Sequence, residues 1–344
     1  MVASGTAESG YGSDDTGLVW GYLFTPDHAP TPIDCAHALQ RLSDSMSPES
    51  DASLGFVWLH FSLSNAASPR WLREHLELPD SFYDSLHERV GSTRLEIENG
   101  AVVAVVHDVV FNTTFDAESI STLTLYMEPR VIVSARLRPL RSLDRLRAAV
   151  RLGLNLRSTA ELLAHLLRDQ ASVLVDIVRQ STSHIDATED KLLSDRITIS
   201  RGELSALRRA LVRLTRLLAP EPTALSRLLS QPPTWLSPED LEGLRSAAEE
   251  FSIAVADSAA LAERLKLLQE ELAAKVSEHI NRSLFILTLV TVLALPINLT
   301  AGLLGMNVGG IPFAQHSEGF LLIVSGLTLV TGLLAYFFLL RRRD

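Results

Sequence analysis

Residues 283–304 read SLFILTLVTVLALPINLTAGLL, and Gly305-Met306-Asn307 follow at once. No Asp, Glu, Lys or Arg occurs from Ser283 to Ser317 or from Gly319 to Leu340, with Arg282, Glu318 and Arg341 at the borders. The stretch Gly305-Met306-Asn307-Val308-Gly309-Gly310-Ile311-Pro312 breaks the first run, which leaves apolar segments over 283–304 and 320–340. Each measures roughly 30 Å as a helix, the thickness of a hydrocarbon core. Core helices of soluble proteins rarely stay uncharged on every face for so long. The pair predicts two transmembrane helices joined by an outer loop over 305–319.

The basic residues orient the pair. Arg282 precedes the first helix, Arg341, Arg342 and Arg343 follow the second, and the loop has no Lys or Arg. The positive-inside rule then places both termini and the basic tail 341–344 in the cytoplasm, in a plasma or inner membrane. Residues 1–16 carry neither a basic n-region nor an apolar h-region, so they read as a disordered tail and not as a signal peptide. Tyr336, Phe337 and Phe338 sit where an interfacial aromatic belt belongs.

Composition narrows the function. The chain has 344 residues, 31 Lys+Arg, 41 Asp+Glu and a net charge of -10, with a mean hydropathy of +0.17. Four of the basic and two of the acidic residues fall in 281–344, leaving 27 and 39, a net charge of -12, for residues 1–280. An acidic body beside a membrane concentrates cations and argues against a nucleic-acid partner. The single Cys35 excludes an internal disulfide and any multi-cysteine metal site. Neither a phosphate-binding Gly-rich loop nor a catalytic constellation is present, so no enzyme activity and no tightly bound cofactor are expected.

Two helices cannot enclose a pore, so conduction requires several copies with one helix each at an axis. Asn281, Leu284, Thr288, Thr291, Leu295, Asn298, Gly302 and Gly305 recur every three or four residues and lie on one stripe. Asn and Thr offer neutral oxygens to the water around a cation, and leucine rings can gate by dewetting. The same Thr and Asn could instead bond to neighbouring helices. Stepping back by heptads from Leu284 gives Ser277, Glu270 and Glu263, acids that either line a cation-attracting lumen or lie on a solvated face. In the outer loop, His316 and Glu318 are the sole His and the sole charged residue, a candidate site for cations or protons. On the second helix, Ser325, Thr328, Gly332 and Ala335 form a small-residue stripe suited to packing.

Gly305-Met306-Asn307 at the outer end of the first of two C-terminal helices resembles the CorA superfamily of divalent-cation transporters. Pro296-Ile297-Asn298-Leu299-Thr300-Ala301-Gly302 resembles that family's approach to the motif. Val308-Gly309-Gly310-Ile311-Pro312, the segment 125–136 (LYMEPRVIVSAR) and Phe56-Val57-Trp58-Leu59-His60 resemble its ZntB zinc-transporter branch. The resemblance implies a homopentamer with a cytoplasmic funnel, and an outer selectivity ring of Gly305, Met306 and Asn307, with Asn307 holding the metal through its hydration water. It also implies Asn281 and Asn298 as pore-lining, and transported Zn2+ with a proton gradient implicated. Met306 departs toward the magnesium-type members, so Mg2+, Co2+, Ni2+ and Cd2+ remain alternative cargoes. A CorA-type magnesium channel and, from another class, a membrane-tethered regulatory protein are the competing readings.

The fold class is an α+β membrane protein. Its parts are a cytoplasmic α/β domain over 17–145, a helical domain over 146–236, a stalk helix over 237–282, and the two membrane helices. Strands are expected at 18–24, 55–63, 94–97, 101–108, 123–127 and 130–135, with a tight hairpin at Asn99-Gly100. Ser68-Pro69 starts a short helix. Ser158 with Glu161 opens a helix to about 194, a second covers 201–218, and Ser237-Pro238 opens a third. No strong breaker interrupts that third helix before Pro296, so it runs roughly 65 residues, about 100 Å, into the membrane. Leu244, Phe251, Val255, Leu265, Leu268, Leu272 and Val276 give it an apolar seam. Cys35-Ala36-His37 is too short and isolated for a zinc site, and His60, in a strand, reads as a satisfied core or edge residue.

Overall fold

The structure, a computed structural model, describes residues 12–26, 28–44, 55–87, 93–110, 120–193, 201–306 and 317–341. Residues 1–268 and 269–344 form two compact units.

The first unit is built on a seven-stranded mixed sheet. Strands β1 (Leu18–Phe24), β2 (Thr31–Pro32), β3 (Phe56–Ser62), β4 (Arg94–Glu98), β5 (Ala101–Val109), β6 (Ile120–Met127) and β7 (Val131–Arg136) lie in the order β2-β1-β3-β7-β6-β5-β4. Only β3 and β7 pair in parallel. The Asn99-Gly100 hairpin forms as expected, with Glu98 opposite Ala101 and positive φ at both turn residues, 52° and 86°, as a type I′ turn demands. Gly55 at φ 73° leads into β3, and a Cβ there would meet the Phe24 carbonyl oxygen at 1.8 Å, so only glycine fits.

Every residue of β5 and β7 is buried, because helices cover both faces of the sheet. Trp20, Trp58, Leu123, Leu125 and Ile132 form one core with helices α4 (Arg141–Arg151), α5 (Thr159–Leu193), α7 (Pro220–Ser230) and the start of α8 (Pro238–Leu304). Leu59, Phe61, Val103 and Val133 meet α1 (Cys35–Asp44), α2 (Ala67–His75) and α3 (Asp80–His87) on the other face. The line drawn at 145/146 falls inside α4, whose Leu143, Leu146 and Val150 belong to the sheet's core. Within 146–236, α4, the start of α5 and α7 therefore cover the sheet. Residues 12–16 are likewise part of the body, since the Asp14 carboxylate accepts bonds from the Thr16 and Leu18 amides, both at 2.9 Å.

Local signals act where they were read, with some shifts. Ser158 Oγ accepts the Glu161 amide at 3.0 Å, while the Glu161 carboxylate turns to the Arg157 amide at 2.7 Å. Ser237 and Asp240 make the full reciprocal box, with Asp240 N to Ser237 Oγ at 3.0 Å and Ser237 N to Asp240 Oδ2 at 3.2 Å. Pro69 is the third residue of α2, not its first. Pro220 both ends α6 (Arg201–Leu218) and starts α7, a helix that the reading of 219–236 omitted. The α8 seam residues Leu244, Phe251, Val255, Leu265 and Leu268 are all buried. Arg264 of α8 clamps α5 through Asp186 and Glu189, both at 2.6 Å.

In the second unit α8 continues to Leu304 with Pro296 inside it, and α9 (Gly319–Arg341) follows. Both helices are long and apolar enough to cross a membrane.

Replacing Ser237 by Ala leaves the Asp240 amide uncapped and costs about 1 kcal/mol. The expected result is a lower midpoint in denaturant unfolding of the full-length protein, with Ser237→Asp close to wild type.

Candidate ion path along helix α8

Within the second unit α8 has two unlike sides. Phe285, Leu289, Val292, Leu293, Pro296, Thr300 and Leu304 are partly covered. Pro296 and Thr300 join Leu322, Ile323, Gly326, Leu327 and Val330 around an apolar groove of about 520 Å³ between α8 and α9. Asn281, Leu284, Thr288, Thr291, Leu295, Asn298 and Gly302 are all exposed. At about 100° per residue they point well away from the α9 side.

The polar groups differ in what they already hold. Thr291 Oγ1 donates to the Leu287 carbonyl at 2.8 Å, so its lone pairs face outward. On the α9 side Thr300 Oγ1 donates to the Pro296 carbonyl at 2.7 Å, which supports the helix next to the proline. No hydrogen bond joins the Asn281, Thr288 or Asn298 side chain to another described residue. Of these, Thr288 and Asn298 fall within the apolar segment 283–304, where a polar side chain seeks water or another chain.

The exposed spacing extends further toward the helix start than the sequence reading carried it. In the second unit Glu270, Ala274 and Ser277 are exposed, and in the first Ile253, Ala256, Ala260, Glu263 and Leu267 are. The signal was available, since these are further three-and-four steps. Small side chains at Ala256, Ala260 and Ala274 make the exposed row less marked in sequence than the apolar seam on the other side. Glu263 is not a lone acid, because Lys266 Nζ donates to it at 2.8 Å.

The outer end is described in part. The Gly305 amide bonds to the Ala301 carbonyl at 3.0 Å, which completes the helix, and Met306 is exposed. Asn307, the loop 308–312 and His316 lie outside the described residues. Glu318 precedes α9, and its carbonyl accepts the Leu322 amide at 3.1 Å. Its carboxylate therefore sits at the positive end of that helix, a stabilising place for an anion in any case.

Among the described residues no group of three His, Cys, Asp or Glu could hold a metal. Cys35 is buried, and burial pushes its thiol up to about 11, while the exposed His37 pairs with Asp34 at 2.7 Å. His60 is a satisfied core residue. Arg136 Nε donates to its Nε2 at 2.8 Å, and its Nδ1 meets Ser134 Oγ at 2.7 Å. Burial, then the Arg136 and Arg147 charges, hold this imidazole well below its ordinary pKa.

The chain belongs to the CorA family: residues 53–343 match the family described as CorA-like Mg2+ transporter protein. It is similar to the divalent cation transporter CmaX of Pseudomonas aeruginosa, 27% identical over 312 residues that cover 89% of this chain and 91% of the relative. It is also similar to the zinc transport protein ZntB of Yersinia enterocolitica, 26% identical over 278 residues that cover 80% and 84%. Both relatives are named as transporters and not as enzymes. The solved full-length CmaX shares the fold with a TM-score of 0.77 at 24% identity, covering 96% of this chain and 98% of that one. The CorA magnesium transporter of Methanocaldococcus jannaschii shares it at 0.72 and 18% identity, covering 94% and 97%.

A stripe that lines water is distinguished from one that faces lipid by thiol labelling. In a Cys35→Ser background, Thr288→Cys and Asn298→Cys should react with a charged, membrane-impermeant thiol reagent faster than Leu289→Cys. The expected ratio is about tenfold or more, the gain in thiolate fraction for each pKa unit of desolvation relieved.

Proposed function

We propose that this protein is a divalent-cation transporter that assembles as a homopentamer and carries Zn2+ along the axis between its α8 helices. The observation that carries the reading is the row of unpartnered polar side chains on α8, turned away from α9 at membrane depth. Copies packed around an axis give those groups water and a cation in place of hydrocarbon. Five copies is what the resemblance to CorA transporters implies.

In such a ring the Asn281, Thr288, Thr291 and Asn298 oxygens bind a cation through its hydration shell. Leu284 and Leu295 close apolar rings between the polar layers and gate by wetting and drying. Gly302 and Gly305 let backbones approach closely, and Asn307 forms the outermost ring. Neutral oxygens suit passage, because Zn2+ held by imidazole or thiolate would stay bound. The acidic balance of residues 1–280, net -12 on the sequence count of 39 acidic against 27 basic, favours cations on the cytoplasmic side. His316 and Glu318 at the entrance exchange protons or collect cations, and an inward proton gradient drives uptake. Both termini are cytoplasmic, in the inner or plasma membrane.

Zinc as cargo is supported by the ZntB relatives and by Val308-Gly309-Gly310-Ile311-Pro312. The second reading, a magnesium channel that also admits Co2+ and Ni2+, is favoured by Met306 and by the printed description of the family.

Flux into proteoliposomes tests the proposal. Zn2+ uptake should exceed Mg2+ uptake and rise when the outside is acidified. Asn307→Ala should lower it roughly tenfold or more, the loss that goes with one hydrogen bond to a charged group. Mg2+ flux without a pH effect would select the magnesium reading. No cation flux, with Asn307→Ala unchanged from wild type, would select a membrane tether.

A further inference from the structure

The edge of β5 runs past its partner. β4 begins at Arg94, opposite Val105, and among the described residues no strand pairs with His107 on that side of β5. Two helices supply side chains instead. Glu221 Oε1 of α7 accepts the His107 amide at 2.5 Å, and Gln170 Nε2 of α5 donates to the His107 carbonyl at 2.9 Å. The Glu221 and Gln170 side chains are 1% and 3% exposed. Their other oxygens, Glu221 Oε2 and Gln170 Oε1, are buried acceptors without a hydrogen-bond partner among the described residues.

The two orphaned acceptors belong to side chains that bond the same peptide group. We propose that Glu221 binds a proton on Oε2 and donates it to Gln170 Oε1, so that a carboxylic acid–carboxamide pair seals α5 and α7 onto the open edge of β5.

The surroundings favour this over an ion pair. His107 Nδ1 lies 3.5 Å from Glu221 Oε1, at the outer limit of a hydrogen bond. Thr93 Oγ1 donates to the Leu217 carbonyl at 3.3 Å and meets that Nδ1 at 3.2 Å, so the ring proton is directed at Thr93. On β5 the other charged neighbour is Asp108, bonded to Ser142 and the Val109 amide. On β4, Arg94 pairs with Glu96 at 3.8 Å. α6 carries Arg213, and α8 brings Arg245 and Glu249 to the outer side of α7. None of these arginines acts on the Glu221 carboxyl, where burial raises the pKa and only the His107 bonds and charge oppose it. Asp108 is itself pushed up to about 7, by burial first. No group of three His, Cys, Asp or Glu among the described residues offers a metal in place of the proton.

An acid whose folded pKa is raised stabilises the fold fully below its ordinary value of 4.5 and loses that contribution as pH rises to the folded value. Alkaline pH therefore loosens α7 from β5. Full-length protein in detergent is the sample. The infrared difference of wild type minus Glu221→Gln at neutral pH should contain the C=O stretch of a protonated carboxylic acid, with Asp108 cancelling because both proteins carry it. Glu221→Gln keeps both an acceptor and a donor in place. At pH 8 it should unfold at a temperature equal to or up to about 4 °C above wild type, with a smaller fall from pH 5 to pH 8. Glu221→Ala should unfold earlier than both at either pH. An absent acid band, or a Glu221→Gln protein that unfolds as early as Glu221→Ala or fails to fold, overturns the proposal in favour of an ionised Glu221 held by His107 or a bridging water.

Discussion

A helix in hydrocarbon satisfies its own backbone but not an amide or hydroxyl side chain that points off its surface. That constraint organises the membrane part of this protein. α9 covers one side of α8 with Leu322, Ile323 and Leu327, and the side it leaves bare is the one carrying Asn281, Thr288 and Asn298. Thr291 and Thr300 have solved the problem locally by bonding to the carbonyl four residues back. The Asn281, Thr288 and Asn298 side chains make no such bond to a described residue.

The body obeys a related rule in water. A sheet whose central strands are apolar on both faces must be covered on both faces. Helices α1 to α3 do this on one side and α4, α5, α7 and the start of α8 on the other. One consequence is that polar groups trapped in the sheet need partners of their own. The Trp58 indole and the His60 ring converge on the Ser134 hydroxyl at 2.9 and 2.7 Å. The open end of β5 takes Glu221 and Gln170 from two helices. The first network is closed within the chain, and the second leaves one Glu221 oxygen and one Gln170 oxygen without a partner among the described residues.

Much of this was legible in the residue order. Strands β1 and β3 to β7, the Asn99-Gly100 turn, the serine caps at 158 and 237 and the unbroken α8 follow from local chemistry, and the structure places them within a few residues. Other features were not. α4 and α7 are short, and their apolar residues count only once a sheet face is there to receive them. Pro220 looked like a stop and is a start as well. Glu263, read as an acid of the lumen or of a solvated face, is exposed and paired with Lys266 one turn on. Nothing near Glu221 or Gln170 in sequence announces their meeting at His107, since one lies 114 residues away and the other 63.

Period and charge are properties of the chain alone. They determined two membrane-length helices, an α/β body, and a polar stripe at helical spacing ending in Gly305-Met306-Asn307. Burial belongs to pairs of elements far apart in sequence. Only the tertiary structure could decide which side of α8 α9 covers, that α4, the start of α5 and α7 cover the sheet, and where buried oxygens lack a hydrogen. The physical reason is that a side chain's environment is set by what packs against it, and that partner is chosen by the fold.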